Sequence, residues 1–235
     1  MTGDLDERVQ FGIEGLDAML GGGLLHRSIC AIVGTYGTGK TTFALQFVYE
    51  GLARGEKAIF ISLDERAEMI HDDIRRKGWD LDGYLGTSLY VVKLDPTDFT
   101  VAINQIRDEL PRLIRNVGAT RVVIDPISLF EGIFTDDAKR RQELYRFVEM
   151  MRDESCTLLL TSETLQNNPY ASKYSLVEYM VDTVILLRYI RPSDLSEVHP
   201  AAEVVKMRGS NHSREIKPYE ILKDRVQVYS EANVF

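Results

Sequence analysis

The sequence has little cysteine and no long apolar run. Its two cysteines, Cys30 and Cys156, each lie inside an apolar stretch typical of a buried strand. Two widely spaced, buried thiols indicate a reducing compartment and argue against a disulfide scaffold. No run approaches the ~18 apolar residues of a membrane-spanning helix, and the polar, acidic first eight residues lack the apolar core of a signal peptide. We therefore expect a soluble, cytoplasmic protein with no membrane partner.

Positive charge is also scarce. Lys and Arg number 28 against 36 Asp and Glu, which gives a formal net charge of −8. This balance disfavours a protein whose main task is to coat duplex DNA, although it allows a local basic patch or pore. The composition, 44% hydrophobic and 27% charged, is typical of a globular domain. Since the sequence contains no repeat or Pro/Gly/Ser-rich linker, it predicts a single domain over residues 1–235.

Strands and helices alternate through the first two thirds of the chain. The predicted strands are Ser28–Val33, Ala58–Leu63, Leu89–Leu94, Arg121–Asp125 and Thr157–Thr161. The predicted helices are Lys40–Ala53, Glu68–Lys77, Val101–Arg115 and Asp136–Arg152. Apolar strands that alternate with helices predict an α/β fold, with a mostly parallel sheet flanked by helices on both faces.

The pattern changes after Asp182. Four short β-rich runs without intervening helices predict antiparallel hairpins added to one edge of the sheet: Thr183–Arg188, Ala202–Arg208, Tyr219–Leu222 and Val226–Tyr229. Before them, Asn167–Tyr170 predicts a mobile loop where a partner would bind, followed by a helix over Ser175–Met180.

A glycine-rich segment joins the first of these strands to the first helix. Gly34-Thr35-Tyr36-Gly37-Thr38-Gly39-Lys40-Thr41, here called the P-loop, fits G-x-x-x-x-G-K-[ST] at every fixed position. Glycines let successive N–H groups face phosphate oxygens, and the helix N-terminus adds the positive end of its dipole. Lys40 would lie between the β- and γ-phosphates, and the Thr41 hydroxyl would bind Mg²⁺. The P-loop, with Thr42 after it, therefore predicts a site for Mg·ATP or Mg·ADP.

Two predicted strands are followed by acids at the edge where ligands bind in such sheets. Asp125 ends its strand and is the acid expected to hold Mg²⁺ with Thr41; the alternative is an acid that caps a turn before Pro126. Asp64 and Glu65 follow Leu63, and a carboxylate there could deprotonate the water that attacks the γ-phosphate. Alternatively, Asp64 is the N-cap and Glu65 a first-turn acid of the next helix. Residue types alone leave both pairs of alternatives open.

Several segments together resemble the KaiC-like ATPases of the RecA superfamily. The most specific is Lys206-Met207-Arg208-Gly209-Ser210-Asn211-His212, which resembles the signature K-[LM]-R-G-[ST]-x-H. The other similar segments are Gly12–Asp17, Gly22–Leu24, Gly34–Phe47, Arg140–Arg146 and Leu160–Glu163. The resemblance covers nearly the whole chain. It implies a RecA-like P-loop core and a ring, usually hexameric, with ATP between neighbouring subunits.

By that resemblance, Lys206 and Arg208 reach the γ-phosphate of the adjacent subunit's ATP. A cation at the transferring phosphoryl group can raise the rate by about 10³ to 10⁵. The alternative is a basic pair on an edge strand, where charge discourages aggregation.

The sequence departs from the family pattern in three ways. Asp64 replaces the first of two glutamates and is one methylene shorter, which puts the hydrolysis rate in doubt more than ATP binding. Leu25 and Arg27 stand where the family commonly has Pro and Gly. Only one domain is present, whereas the clock protein that names the family has two. The sequence shows no counterpart of that protein's phosphorylated Ser/Thr segment, which leaves autokinase activity open.

The leading hypothesis is an oligomeric ATPase whose hydrolysis drives or times a conformational change. One alternative is a regulatory module that binds ATP and assembles, with a regulatory protein as a further partner, but hardly hydrolyses ATP. Another is a recombinase-like ATPase that binds nucleic acid through a basic pore containing Lys139-Arg140-Arg141, a triplet that otherwise forms a solvated helix face. The acidic net charge disfavours the nucleic-acid alternative.

Overall fold

The computed structural model describes residues 7–94, 105–165, 167–191 and 197–232, in which strands and helices alternate as predicted. The strands are β1 (Arg8–Val9), β2 (Leu24–Leu25), β3 (Ile29–Gly34), β4 (Ala58–Ser62), β5 (Leu89–Lys93), β6 (Arg121–Asp125), β7 (Thr157–Leu165), β8 (Asn168–Ser172), β9 (Thr183–Ile190), β10 (His199–Met207), β11 (Ile216–Ile221) and β12 (Val226–Val228). The helices are α1 (Glu14–Met19), α2 (Lys40–Ala53), α3 (Ala67–Arg76), α4 (Leu110–Val117), α5 (Ile127–Gly132), α6 (Asp137–Arg152) and α7 (Val177–Met180). A 3₁₀ turn (Asp82–Tyr84) and a π-helical turn (Gln105–Glu109) also occur.

Within the described residues, β3 to β12 form one ten-stranded sheet. Nine of these strands follow the order β12-β11-β10-β9-β3-β7-β6-β4-β5, and β8 pairs with β7. The strands from β5 to β9 in this order are parallel, whereas β10, β11 and β12 are antiparallel additions at one edge. This arrangement confirms the predicted fold class of a mostly parallel sheet with antiparallel C-terminal strands.

The sheet has a hydrophobic core on each face. Successive residues of β3 alternate between the two: Cys30 and Ile32 pack in one core, Ala31 and Val33 in the other. Helices α2 and α3 cover the first face, and α4, α5 and α6 cover the second. Because both faces are covered, the strands are apolar without alternation. Among the described residues, no helix combines the length and apolarity needed to cross a membrane.

The structure corrects the prediction for Asn167–Tyr170. Strand β7 continues to Leu165, and β8 pairs with its extension in antiparallel register, Thr164 opposite Ser172. A strand containing Asn-Pro is tolerated at such an edge, since the missing N–H of proline is not needed there. The loop prediction was therefore wrong. The helix predicted after it is also shorter, because α7 covers only Val177–Met180.

Other elements differ from the predictions in smaller ways. Strand β9 pairs antiparallel with β10, as predicted, but it also pairs in parallel with β3, Thr183 opposite Cys30, so it belongs to the parallel part of the sheet as well. Helix α5 was not predicted, and the first part of the predicted helix Val101–Arg115 lies outside the described residues. Arg27 has φ +57°, a left-handed conformation that favours glycine, so the usual family glycine has a backbone reason at this position.

Candidate active site

The P-loop lies between the end of β3 and the start of α2, and two of its glycines are required by close contacts. A Cβ on Gly34 would lie 2.6 Å from Thr38 Oγ1 and 2.8 Å from the Leu187 carbonyl oxygen. Gly39 has φ +82°, a conformation that favours glycine, and a Cβ there would also collide with the Ile221 side chain. The loop therefore keeps a tight path that side chains would block, as a cradle of backbone N–H groups requires.

Two tyrosines from distant strands hold the loop carbonyls. The Tyr189 hydroxyl, at the end of β9, donates to the Gly37 carbonyl at 2.8 Å. The buried Tyr219 hydroxyl, on β11, donates to the Thr38 carbonyl at 2.6 Å. Inside the loop, Thr38 Oγ1 donates to the Thr35 carbonyl at 2.7 Å. These three hydroxyl groups thus hold the carbonyls of the loop by hydrogen bonds.

Lys40 is held across the mouth of the loop. Its Nζ donates to the carbonyls of Gly34 at 3.0 Å and Thr35 at 3.1 Å. Burial lowers the pKa of Lys40, and the nearby Asp125 and Glu163 carboxylates act in the opposite direction. A half-buried ammonium on weak carbonyl acceptors is ready to exchange them for phosphate oxygens, which bind a cation more strongly.

Asp125 and Thr41 meet at the end of β6. Thr41 Oγ1 donates to Asp125 Oδ2 at 2.7 Å, and the Thr161 hydroxyl donates to Oδ1. Burial raises the pKa of Asp125, while the two hydroxyls and Lys40 lower it. Helix α5 has Pro126 at its N-cap and no side-chain cap, so the alternative that Asp125 caps a turn was wrong.

These oxygen donors fit Mg²⁺. The ion prefers oxygen ligands and usually takes one or two from protein, completing its shell with phosphates and water. Thr41 and Asp125 supply such a set beside the P-loop. In the described part of the chain, no cluster of three or more His, Cys, Asp or Glu side chains offers a metal cage of its own. The site would thus hold Mg²⁺ as a partner of a bound nucleotide.

The two acids after β4 have different surroundings. Asp64 is exposed, whereas Glu65 is half-buried and its Oε2 has no hydrogen-bond partner among the described residues. Burial raises the pKa of Glu65, and the carboxylates of Asp73, Asp125 and Asp64 add to the increase. A carboxylate with a raised pKa near the metal site has the property required of a general base.

The helix-start alternative for these acids was wrong. Helix α3 begins at Ala67 with Arg66 at its N-cap, and no side chain caps it. The backbone N–H of Glu65 donates instead to Ser62 Oγ at 2.8 Å, which closes a turn directly after β4. The chain thus stays non-helical through Asp64 and Glu65, at the same end of the sheet as the P-loop.

Lys206 and Arg208 lie at the other end of the sheet. Beside the P-loop, Gly34 is opposite Leu187 of β9, whereas Met207 of β10 is opposite Thr183. The four residue steps from Thr183 to Leu187 span roughly 13 Å of strand. The structure therefore does not bring these two cations to the P-loop of their own chain.

Both cations instead contact α7. Lys206 Nζ donates to the carbonyls of Glu178 at 2.7 Å and Val181 at 2.6 Å. Arg208 Nη2 donates to the Tyr179 carbonyl at 2.8 Å, and Nη1 lies 3.8 Å from Asp182 Oδ1. Burial and the neighbouring Arg208 lower the pKa of Lys206. The two cations form one cluster, and carboxylates and backbone carbonyls are the acceptors around it.

Sequence reasoning missed three side chains that complete the P-loop end. Tyr219 lies in a run predicted only as an edge hairpin, Tyr189 directly follows another such run, and no motif marks either residue. Thr161 was placed in a buried strand, where its hydroxyl is found on Asp125. A polar residue that follows Leu160 in an apolar strand, near the ligand edge, was the available signal for Thr161.

This chain matches a family model, several known relatives and a solved structure. The family model described as "ATPase: KaiC" matches residues 9–233. A UPF0273 protein of Methanopyrus kandleri is 31% identical over 94% of this chain and 92% of its own length, and one of Thermotoga maritima is 30% identical over 95% and 96%. The crystal structure of a KaiC-like protein from Pyrococcus horikoshii OT3 superposes with a TM-score of 0.82 at 29% identity, over 95% of this chain and 99% of that one.

Longer relatives match over part of their length. The circadian clock protein KaiC3 of Synechocystis is 26% identical over 93% of this chain and 45% of its own length. The clock oscillator protein KaiC of Parathermosynechococcus lividus is 28% identical over 94% and 42%. The chain thus spans slightly less than half the length of these clock proteins.

Proposed function

This chain belongs to the KaiC family of ATPases, and from that premise we propose that it hydrolyses Mg·ATP at sites shared between neighbouring copies in a cytoplasmic ring. The family itself indicates an ATP-binding, RecA-like ATPase. The shared site, the magnesium ion and the ring, usually hexameric in this family, are the parts proposed here.

The P-loop end supplies nucleotide binding. The N–H groups of residues 34–42 and the Lys40 ammonium would hold the phosphates, while Thr41 and Asp125 would hold Mg²⁺. The metal would neutralise charge that develops on the β- and γ-phosphates. The Thr41–Asp125 hydrogen bond keeps the two metal-holding oxygens together. Mg·ADP would bind through the same groups.

Glu65 and Asp64 would supply the general base that takes a proton from the attacking water. As a water oxygen attacks the γ-phosphorus, its proton would pass to a carboxylate and ADP would leave. Glu65 is better suited than Asp64, because burial has raised its pKa and its side chain is longer. Asp64, the preceding residue in the chain, would serve as a second, less effective base.

The single observation that carries the shared site is the position of the two cations. Lys206 and Arg208 lie at the opposite end of the sheet from the P-loop of their own chain. If they act on a γ-phosphate, it must belong to another copy. Contacts between two different ends of one molecule are heterologous, and they form a ring when the rotation closes. The neighbour would therefore complete each site.

Subunit mixing tests this proposal. Lys40→Ala removes the P-loop cation, and Arg208→Ala removes the cation offered to the neighbour, so each variant should be inactive alone. In a mixed ring, some interfaces pair the intact P-loop of the Arg208→Ala chain with the intact Arg208 of the Lys40→Ala chain. ATP turnover should partly return on mixing. If both variants assemble and exchange subunits without regaining turnover, the shared site is wrong.

One structural observation bears on nucleic-acid binding. Arg140, in the middle of the basic triplet, donates to the carbonyls of Glu131 and Phe134, pairs with Asp137 and lies over the Tyr174 ring. It is therefore occupied within its own subunit. This favours the solvated helix face over a basic pore, and we propose no nucleic-acid partner.

A further inference from the structure

We infer that Glu178 is a positioning residue for the two cations offered to the neighbouring subunit, because it fixes the short helix α7 on which both are held. The inference rests on the proposed shared site. It adds a residue that touches neither nucleotide nor metal and acts through Lys206 and Arg208.

Helix α7 supplies the surface on which the cations rest. The carbonyls of Glu178 and Val181 accept two hydrogen bonds from Lys206 Nζ, and the Tyr179 carbonyl accepts one from Arg208. The orientation of these carbonyls therefore sets the position of the cations. Since α7 has only four residues, its own hydrogen bonds cannot stabilise it, and other groups must hold it in place.

The Glu178 side chain holds the beginning of this helix. Its carboxylate accepts from both the backbone N–H and the hydroxyl of Ser172, the latter at 2.8 Å. Ser172 is 0% exposed and ends β8, which is itself paired to β7. Hydrogen bonds to an ionised acceptor are stronger than neutral ones. Glu178 thus ties α7 to the sheet.

A second carboxylate holds the chain directly after α7. Asp182 accepts two hydrogen bonds from Arg152, each 2.9 Å long, and one from the backbone N–H of Ile29 at 2.9 Å. Arg208 lies beside it. The segment is therefore fixed at both ends, and Glu178 is the tie that can be removed without touching the ion pairs of Asp182.

The anchor of Glu178 also connects to the chain's own P-loop. Lys173, next to Ser172, pairs with Glu163 at 2.6 Å and donates its backbone N–H to the Glu163 carbonyl. Glu163 lies opposite Gly34 in the sheet, and its charge influences Lys40. The cations for the neighbour are thus built on a segment that starts beside the chain's own nucleotide site.

The charge of Glu178 acts on a second, buried carboxyl group, that of Glu131. This charge adds to the increase that burial produces in the pKa of Glu131, which reaches about 8. Two carboxyl groups placed close together are unfavourable when both are ionised. The carboxylate of Glu178 therefore opposes the ionisation of Glu131, and its hydrogen bonds to Ser172 are the contacts that it gains.

The test places one substitution on either partner of the mixed ring. On the Lys40→Ala chain, which supplies the cations, Glu178→Ala should reduce the restored turnover by about ten-fold or more, a small part of the 10³ to 10⁵ that such a cation can supply. The ATP affinity of the mixture should not change. On the Arg208→Ala chain, which supplies the P-loop, the same substitution should leave the restored turnover intact. Glu178→Gln on the cation-supplying chain should recover much of the loss, because its amide oxygen still accepts from Ser172.

Equal loss in both placements would show a purely structural role and overturn the inference, as would no loss in either. If Glu178→Ala does not fold, Ser172→Ala removes one of the two hydrogen bonds and should show the same asymmetry to a smaller extent. If the parent mixture without any Glu178 substitution restores no turnover, the shared site itself is wrong and the positioning role fails with it. Restored turnover with symmetric Glu178 effects leaves the shared site standing and removes only the positioning role.

Discussion

The P-loop end of the sheet and the end that carries Lys206 and Arg208 are built in different ways. At the P-loop end, the tight turn between β3 and α2 is held from behind by Tyr189 and Tyr219. At the cation end, two long side chains rest on a four-residue helix, and the Arg208 side chain remains 52% exposed. The P-loop itself is built within one chain, whereas the second end leaves a cation exposed, which would face a neighbour in the proposed ring.

The two ends of the sheet need different kinds of structural support. A phosphate cradle needs a fixed backbone, and one continuous segment of sequence can supply it. A cation that acts on a neighbour must instead be held in place without being neutralised. Backbone carbonyls satisfy that need, because they accept hydrogen bonds without the full charge of a carboxylate. The nearest carboxylate to Arg208, Asp182, is engaged by Arg152.

The largest expected effects separate the two ends directly. Lys40→Ala should abolish nucleotide binding, and with it the stabilisation of about 2.7 kcal/mol that a ligand gives at 100 times its Kd. Arg208→Ala should keep that stabilisation but lower kcat by about 10³-fold or more. Thermal unfolding with and without Mg·ATP, together with steady-state turnover, measures both. Equal loss of the melting-temperature shift in the two variants would contradict the division.

A smaller effect should distinguish the two acids at the P-loop end. Glu65→Gln should lower kcat by roughly 10²-fold, the usual contribution of a general base, and leave ATP affinity nearly unchanged. Asp64→Asn should have a milder effect, because Asp64 is exposed and shorter. Single-turnover hydrolysis with saturating ATP compares them. If Asp64→Asn abolishes turnover and Glu65→Gln does not, the roles are reversed.

The smallest expected effect on turnover belongs to Glu131, whose substitution should change the stability of the fold instead. Glu131 is 0% exposed, and burial, assisted by Glu178 and opposed by Arg140 and Lys173, raises its pKa from 4.5 to about 8. The folded protein therefore keeps a proton that the unfolded chain releases above pH 4.5, so stability should fall as pH rises towards 8 and then level off. Each unit of pKa shift corresponds to about 1.4 kcal/mol, so Glu131→Gln should stabilise the protein by roughly 2–5 kcal/mol at about pH 8.5.

The same Glu131→Gln variant should match the wild type only below about pH 4.5, where the carboxyl is protonated in both the folded and the unfolded state. Urea unfolding at several pH values measures both curves. Turnover should change little, because Glu131 contacts neither half of the site. Parallel stability curves for the two proteins would mean that Glu131 does not titrate in this range.

The sequence predicted the P-loop end better than the rest of the site. Helix α2 and strand β6 have the predicted bounds, Lys40–Ala53 and Arg121–Asp125, because local periodicity and a strand-ending acid determine them. The two tyrosines that donate to the loop carbonyls could not be predicted from local periodicity. Tyr189 lies 152 residues after Gly37, and Tyr219 lies 181 residues after Thr38, so only the folded sheet brings each tyrosine to the P-loop.

Two local errors have a physical cause as well. Asp64 is a favourable N-cap residue, yet α3 begins at Ala67 because Ser62 Oγ already accepts the Glu65 N–H and extends the turn. The segment after Leu165 contains Asn and Pro, which predict a loop, but an edge position on β7 accepts both. In each case a contact outside the local pattern decided the conformation.

In the proposed ring each chain carries two halves of different sites, so turnover should depend on protein concentration. Specific ATPase activity should be measured over a concentration range that spans assembly, with the oligomeric state followed by light scattering in the same samples. If the sites are shared, activity per subunit rises with the fraction assembled, and isolated chains bind Mg·ATP but hardly hydrolyse it. Activity per subunit that stays flat while the chains pass from monomers to assemblies would contradict the shared site.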